Sequence, residues 1–569
     1  MKTFKKIAGM CLAATMISGL AAMPLMAAPE AEAPQVQDTY INPLQVDYPM
    51  MHGGEKGVLP EDPFGVGNMI ANIFIPGDPV EQITHIRFQT LFRGTGTYVQ
   101  ENDYRDTSEP SALYYHDTWY LYCSNSALFV SDNFTDWRSV QLKSDTGEDL
   151  GFGGAPTVAV RTDENGQDHF YMAWNKSNLW EAEDPEGPFR DLGSFTYNGK
   201  SFKDNFLEDG LIIPSNDDVS LFVDDDGRMY MYWGMGPYIS GAELNPENPT
   251  ELLTEPVKLI EYDNQYKWQN FGQHHQDYEN GYPEGSWMVK IGDTYYLTWT
   301  TSGVQYDAYT MGCYHSTEGP LSGFTLQEKE IINQDDALSG LVRGGGHGSI
   351  TAGPNGQLWC FYTVNVGYEG DMESYIGADP ATIDEEGNLV VPHLSEYPQY
   401  VPGVKEDAAS GNEVDCDIIS ARSSYGVSSY SEGRHPIYAI DESCLTWWQP
   451  AAEDTNPWYV VSFKGNFNVN AFRVLMKEIN KDRSANIDKS CIRYKIEVFN
   501  GTENPLAPEN ADSWTTVYEK TDDSTYIIDY IPLEAPVLGQ FARITFLEWP
   551  EDIYPGLVEF TVFGNSIAK

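Results

Sequence analysis

The sequence predicts an all-β protein, a five-bladed β-propeller followed by a β-sandwich. Three observations carry this. Short aromatic strands flanking tight Gly/Asn/Asp turns recur through residues 105–365, and long amphipathic helical patterns are hard to find beyond the N-terminus. After a polar stretch near residue 405 the aromatic hairpins stop and longer alternating strands begin. With 36 Tyr, 14 Trp and 51 Gly, and hydrophobic residues at 41%, the 569-residue chain reads as folded, β-rich and multidomain.

The N-terminus comes first. Lys2, Lys5 and Lys6 precede an apolar run from Ile7 to Met26 that ends in small residues, so residues 1–28 are expected to be a signal peptide and the protein to be exported. No other segment is apolar for long enough to span a bilayer. Cys11 falls within the leader. The remaining cysteines lack Cys-x-x-Cys spacing, which argues against zinc; Cys123 and Cys360 sit in strand-like runs, and Cys416 with Cys444 could pair outside the cell. A formal charge of −51 excludes nucleic acid as a partner, because phosphate binding needs Lys and Arg to displace counterions. A neutral, hydroxyl-rich ligand suits such a surface better.

The hairpins follow in order at Tyr114–Tyr122, Asp163–Trp174, Asp224–Gly234, Gly292–Trp299 and Pro354–Tyr362. Their Asn-Gly and Asp-Gly turns suit positive φ. They recur at roughly 50–65 residues, somewhat above the usual range for repeat arrays. Material such as Leu128–Asp132 and Gly312–Ser316 supplies outer strands, and four strands per repeat around an axis make a propeller. Residues 42–100 would enter the first blade or close the ring. The expected domains are thus 29–405 for the propeller, 406–414 for a linker and 415–569 for the sandwich.

Loops that enter the first strand of each blade gather at one mouth, and three are acidic: Arg105–Ser111 with Asp106 and Glu109, Asn216–Phe222 with Asp218, and Tyr282–Lys290 with Glu284. Any one acidic loop is ordinarily just solvated. Recurrence at the same place in a repeat points to an acid–base site. Gly285 would let backbone approach a ligand with no Cβ in the way.

These residues carry a resemblance. Asp218-Val219-Ser220-Leu221-Phe222 through Asp225-Asp226-Gly227 to Tyr230 resembles the Asp-Pro-Ser-Leu-Phe…Asp-Asp-Gly…Tyr signature of family 43 glycoside hydrolases. Glu284-Gly285-Ser286 through Lys290 to Tyr295-Tyr296-Leu297 resembles that family's Glu-Gly-Pro…Lys…Tyr-Tyr-Leu motif, and Gly345-Gly346-His347-Gly348 its Gly-His-Gly segment. The resemblance spans residues 100–370 and implies an inverting glycosidase. Glu284 would be the general acid, Asp218 would orient it and raise its pKa, and a carboxylate on the first blade would be the base. Inversion needs two carboxyl groups about 6.5–9.5 Å apart with a water between them. The family shows Asp-Pro at the base; here Glu109-Pro110 stands there with Asp106 three residues earlier, and both remain candidates.

The family's histidine at position 347 often helps to hold a metal ion, commonly calcium, or a water; a purely structural histidine is the alternative. Trp287, Trp268, His274 and Arg343 are candidate substrate contacts, against a reading of the tryptophans as core and of His274 as surface loop. No cofactor is required, with room for a structural calcium ion. Residues 415–569 resemble discoidin-like (factor 5/8 type C) sandwiches that bind carbohydrate, on Ala439-Ile440-Asp441, Thr446-Trp447-Trp448, Trp458 and Tyr494–Val498. The implied activity is exo-acting removal of α-L-arabinofuranose or β-xylose from plant-type glycans, with β-galactosidase-type cleavage or a non-catalytic glycan-binding propeller as alternatives.

Overall fold

In the computed structural model the described residues are 38–51 and 104–567, apart from 205, 209–210, 214–216, 237, 280, 333–339, 368–372, 482–490, 502, 523 and 525. The expected signal peptide and most of the 42–100 segment lie outside them. Among the described residues helix is confined to short 3-10 turns.

Each aromatic hairpin forms at its expected place. Ser111–Tyr115 pairs with Thr118–Cys123, and Ala127–Ser131 and Arg138–Ser139 complete a four-stranded antiparallel meander. Meanders of the same kind run through Thr157–Gly193, Glu284–Leu326 and Gly346–Val390. Between the second and third lies a seven-stranded sheet built on Ser220–Val223, Met229–Trp233 and Tyr238–Asn245. The first strand of each sheet touches the first strands of its neighbours, and Gly346–Ala352 returns to Ser111–Tyr115. The arrangement is propeller-like.

Buried hydroxyls stitch this ring together. Ser111 Oγ accepts from Val158 N (3.3 Å), Thr157 Oγ1 from Leu221 N (3.1 Å) and Ser349 Oγ from Ala112 N (2.9 Å). Ser220 and Ser286 share a hydrogen bond (3.3 Å), and Trp287 Nε1 donates to Ile350 O (2.9 Å). Adjacent first strands belong to different sheets and do not pair through backbone, so short side chains satisfy these buried N–H groups.

The N-terminal strand Thr39–Tyr40 pairs with Gln399–Tyr400, and Asn42 Nδ2 donates to Asp379 Oδ2 (2.9 Å), so this segment is laid against the last meander. Residues 406–414 follow the same surface: Gln357 Nε2 donates to Glu406 O (2.6 Å) and Asn412 Nδ2 to Tyr400 O (2.8 Å).

Beyond Asp417 a second seven-stranded antiparallel sheet forms around Trp458–Asn480, which pairs with both Ile528–Glu548 and Ile553–Ser566. Register shifts near Ser462 and Val469 let this long strand bend. One continuous cluster of buried side chains runs from Trp119, Trp359 and Phe361 to Phe472, Val474 and Phe560. A bidentate ion pair, Arg105 to Glu478 (2.9 and 3.3 Å), is buried within that union. Among the described residues the cysteines all remain free: Cys416 lies against Ile41 and Phe563, while Cys444 faces Arg343, so the Cys416–Cys444 bridge does not form.

Candidate active site

Four residues at the mouths of the first strands have left-handed backbone: Glu109 (φ 57°), Asp218 (φ 46°), Gly285 (φ 58°) and His347 (φ 38°). For three of them this conformation is costly, and such strain survives only where its surroundings hold it. Each reversed peptide is caught by a polar group. Glu109 N donates to Thr363 Oγ1 (2.9 Å), His347 N to Thr300 Oγ1 (2.8 Å), Asp218 N to Asn175 Oδ1, and Gly285 N to Asp218 Oδ2 (3.1 Å). Bulges beside Glu284 and beside His347 re-aim both side chains as their strands begin.

The result is a convergence of three carboxyl groups and a histidine. His347 Nδ1 lies 3.6 Å from Glu109 Oε1 and 3.9 Å from Asp218 Oδ2. Glu109 Oε2 accepts from Ala155 N (2.6 Å) and from the Ser124 hydroxyl, which leaves Oε1 toward the histidine. Its side chain is 23% exposed, against 2% for Asp218. Glu284 is buried, and Tyr309 donates its hydroxyl to Oε1 at 2.7 Å.

Their electrostatic settings diverge. Burial pushes Glu284 well above the usual carboxylate range, and the Asp218 charge adds to that shift. Asp218 is itself pushed up to about 6 by burial, with His347 opposing and Glu109 and Asp217 reinforcing the rise. Asp218 also faces His347 and accepts the Gly285 N–H, so the proton shared by this pair belongs on Glu284. One group is thus held as an acid beside a wetter carboxylate, the combination that acid–base cleavage of an acetal requires.

The other sequence candidates are distributed as follows. Asp106 is buried behind the first strand, where Oδ1 accepts from Ser374 N (2.7 Å) and Oδ2 from Asn125 (2.9 Å); burial takes it to about 7. Trp268 is a core residue, packed on Trp299 and donating to Glu328 O. Trp287 spends its indole N–H bridging two inner strands. His274 is exposed, and Arg343 is buried in an ion pair with Asp307. The open space above Gly285 is taken by the His347 ring rather than left for a ligand. Sequence reading missed Tyr309, Ser124, Asn175, Thr300 and Thr363. Each is a common residue near a strand end; Asn175, Thr300 and Thr363 directly follow the recognised aromatic runs ending at Trp174, Trp299 and Tyr362, but nothing in the sequence set them apart.

Residues 102–380 match the model for glycosyl hydrolases family 43. This stretch is thus similar to a family 43 glycoside hydrolase domain, which supports an enzyme of the glycosidase class. A beta-D-galactofuranosidase, xynD of Aspergillus niger, is 26% identical over 174 residues, 30% of this chain. The match spans only 41% of that relative's length. A solved glycoside hydrolase is 19% identical with a TM-score of 0.43, covering 80% of this chain and 97% of its own. An arabinoxylan arabinofuranohydrolase from Bacillus subtilis is 14% identical with a TM-score of 0.38, covering 81% and 96%. No helix among the described residues is long and apolar enough to cross a membrane.

For a metal, no three His, Cys, Asp or Glu side chains among the described residues are grouped as a site. In the C-terminal region, Asp441 accepts from Thr446 (2.8 Å), and the buried Oε1 atoms of Glu442 and Glu559 lack hydrogen-bond partners. Such all-oxygen donors fit a hard cation such as calcium.

Proposed function

We propose that this protein is an exported, inverting, exo-acting glycosidase that removes α-L-arabinofuranosyl or β-D-xylosyl units from plant-type glycans. Glu284 protonates the leaving oxygen, Glu109 takes a proton from the attacking water, and Asp218 keeps Glu284 protonated and oriented. The observation that carries this is the contrast between Glu284, buried and bonded to Tyr309, and Glu109, wetter and anchored through one oxygen only. With both Asp106 oxygens bonded to Ser374 and Asn125, Glu109 is the better base. His347 separates Glu109 from Asp218 and could hold a water-bridged cation there. Export is supported by the basic and apolar N-terminus.

In this reading the seven-stranded sheet at Ser220–Asn245 is the third of five blades, supported by the closed ring of first strands. Residues 415–569 form a discoidin-like sandwich for sugar binding, supported by the Ala439-Ile440-Asp441 and Thr446-Trp447-Trp448 runs. A structural calcium ion, if carried, would belong near the Ala439-Ile440-Asp441 segment.

A second specificity is favoured by the Aspergillus niger relative. β-D-galactofuranose shares its ring stereochemistry with α-L-arabinofuranose and differs by an added hydroxymethyl group, so one pocket can accept both. The test is sugar release from arabinose-, xylose- and galactofuranose-capped oligosaccharides, followed by NMR for the anomer first formed, with Glu284→Gln in parallel. Release of one sugar with inverted configuration, lost in the variant, is expected. Retained configuration would overturn the mechanism. Binding without release from any substrate would favour a non-catalytic propeller.

A further inference from the structure

Arg343 is buried, 5% exposed, and both terminal nitrogens of its guanidinium are engaged by protein. Nη2 pairs with Asp307 Oδ1; Nη1 donates to Gly367 O (3.3 Å) and to Cys444 Sγ (3.2 Å). Asp307 is clasped a second time by Gln273, which gives Nε2 to Oδ2 (2.9 Å) and takes the Asp307 N–H on Oε1 (3.0 Å). Two residues later on the same tight loop is Tyr309, whose hydroxyl reaches Glu284.

That loop has no slack. Tyr306 N bonds Gly303 O, Tyr309 N bonds Tyr306 O, and Gly345 N bonds Tyr309 O (3.0, 3.1 and 2.9 Å). A Cβ at Gly346 would sit 2.2 Å from the Tyr309 ring. The C-terminal region clamps the Arg343 segment from the other side. Cys444 N donates to Gly340 O (3.1 Å), and Glu396, whose backbone oxygen accepts from Arg473 (2.8 Å), takes the Leu341 and Val342 N–H groups.

We infer that Arg343 is a positioning residue and not a sugar ligand: it ties the loop bearing Tyr309, and hence Glu284, to Cys444, making the C-terminal region a working part of the catalytic site. The inference rests on the assignment of Glu284 as the acid. A clamp on an acid has a specific signature. When proton donation is impaired, a glycoside whose leaving group departs unaided suffers less than one that needs protonation. The Tyr309 hydrogen bond lowers the Glu284 pKa, so losing it moves the alkaline limb of the pH profile upward.

The experiment uses full-length protein with Arg343→Ala, Arg343→Lys, Cys444→Val, Cys444→Ser, Tyr309→Phe and Glu284→Gln. Hydrogen exchange over residues 303–309 is read first. Arg343→Ala and Cys444→Val should speed it, and Cys444→Ser, which keeps an acceptor, should not. Rates are then compared on the 2,4-dinitrophenyl glycoside and the methyl glycoside of the released sugar. Arg343→Ala should lose about 10-fold or more on the methyl glycoside, clearly less on the dinitrophenyl one, and share the upward limb shift of Tyr309→Phe; Arg343→Lys should recover part. Unchanged exchange, or equal losses on both substrates with an unmoved limb, would overturn the inference while Glu284 keeps its role. Full turnover by Glu284→Gln on the methyl glycoside would instead remove the acid assignment, and the inference with it.

Discussion

The imidazole of His347 lies directly over the Cα of Gly285, and a Cβ at that glycine would come within 2.8 Å of the ring. The contact joins the acid-bearing strand to the last inner strand, at a glycine whose φ of +58° disfavours any side chain. Gly285→Ala should therefore lose about 1–3 kcal/mol of stability and most activity. His347→Ala in the same chain should return part of the stability, as a double-mutant cycle on unfolding midpoints would register. Strict additivity would mean that the two residues do not press on each other.

Glu109 and Asp106 should separate cleanly by kinetics. Glu109→Gln is expected to lower kcat about 10²–10⁴-fold with little change in melting temperature. Asp106→Asn places an amide among donors from Ser374 and Asn125, so its cost should fall on stability, about 1–3 kcal/mol, with kcat largely kept. The reverse pattern would transfer the base to Asp106.

The pH profile should report Asp218. Its negative charge raises the Glu284 pKa, and the acid works only while protonated. Asp218→Asn removes that charge, so Glu284 should ionise at lower pH and the alkaline limb of kcat/KM should move down, opposite to the shift expected of Tyr309→Phe. Profiles measured between about pH 4 and 9 would show it; an unmoved limb would detach Asp218 from the acid.

Arg105→Ala leaves Glu478, whose pKa burial already raises, without its partner in a buried interface. A loss of about 3–5 kcal/mol is expected, most of it restored when Glu478→Leu is added. A chain ending near residue 411 should likewise expose the apolar cluster that Trp359 shares with Phe472, and should bind a hydrophobic dye or aggregate. Cooperative unfolding of that truncation at an unchanged temperature would make the two regions independent.

Much of this was readable in advance because the governing forces are local. The aromatic hairpins follow from short runs of aromatic, strand-forming residues flanking tight turns, with Asn165-Gly166, Asp226-Gly227 and Asn355-Gly356 at three of the five, and every one appears where its turn residues put it. The position of Glu284 at the start of a strand, ahead of Gly285, was equally plain. Tyr309 was not, because nothing local distinguishes it from the chain's other tyrosines; it matters only once Gly303–Tyr309 is folded back onto the acid.

Residue order along the chain therefore settled the strands, their turns and the acidic residues at the strand entrances, since each depends on neighbours within a few positions. Tertiary structure alone decided which carboxylate is buried and which is wetted, that His347 occupies the space over Gly285, and that Arg343 is committed to Asp307 and Cys444. Those outcomes turn on desolvation and on hydrogen bonds between residues tens to hundreds of positions apart, as between Glu109 and Thr363. Such pairings acquire their energies only when the ring of strands closes.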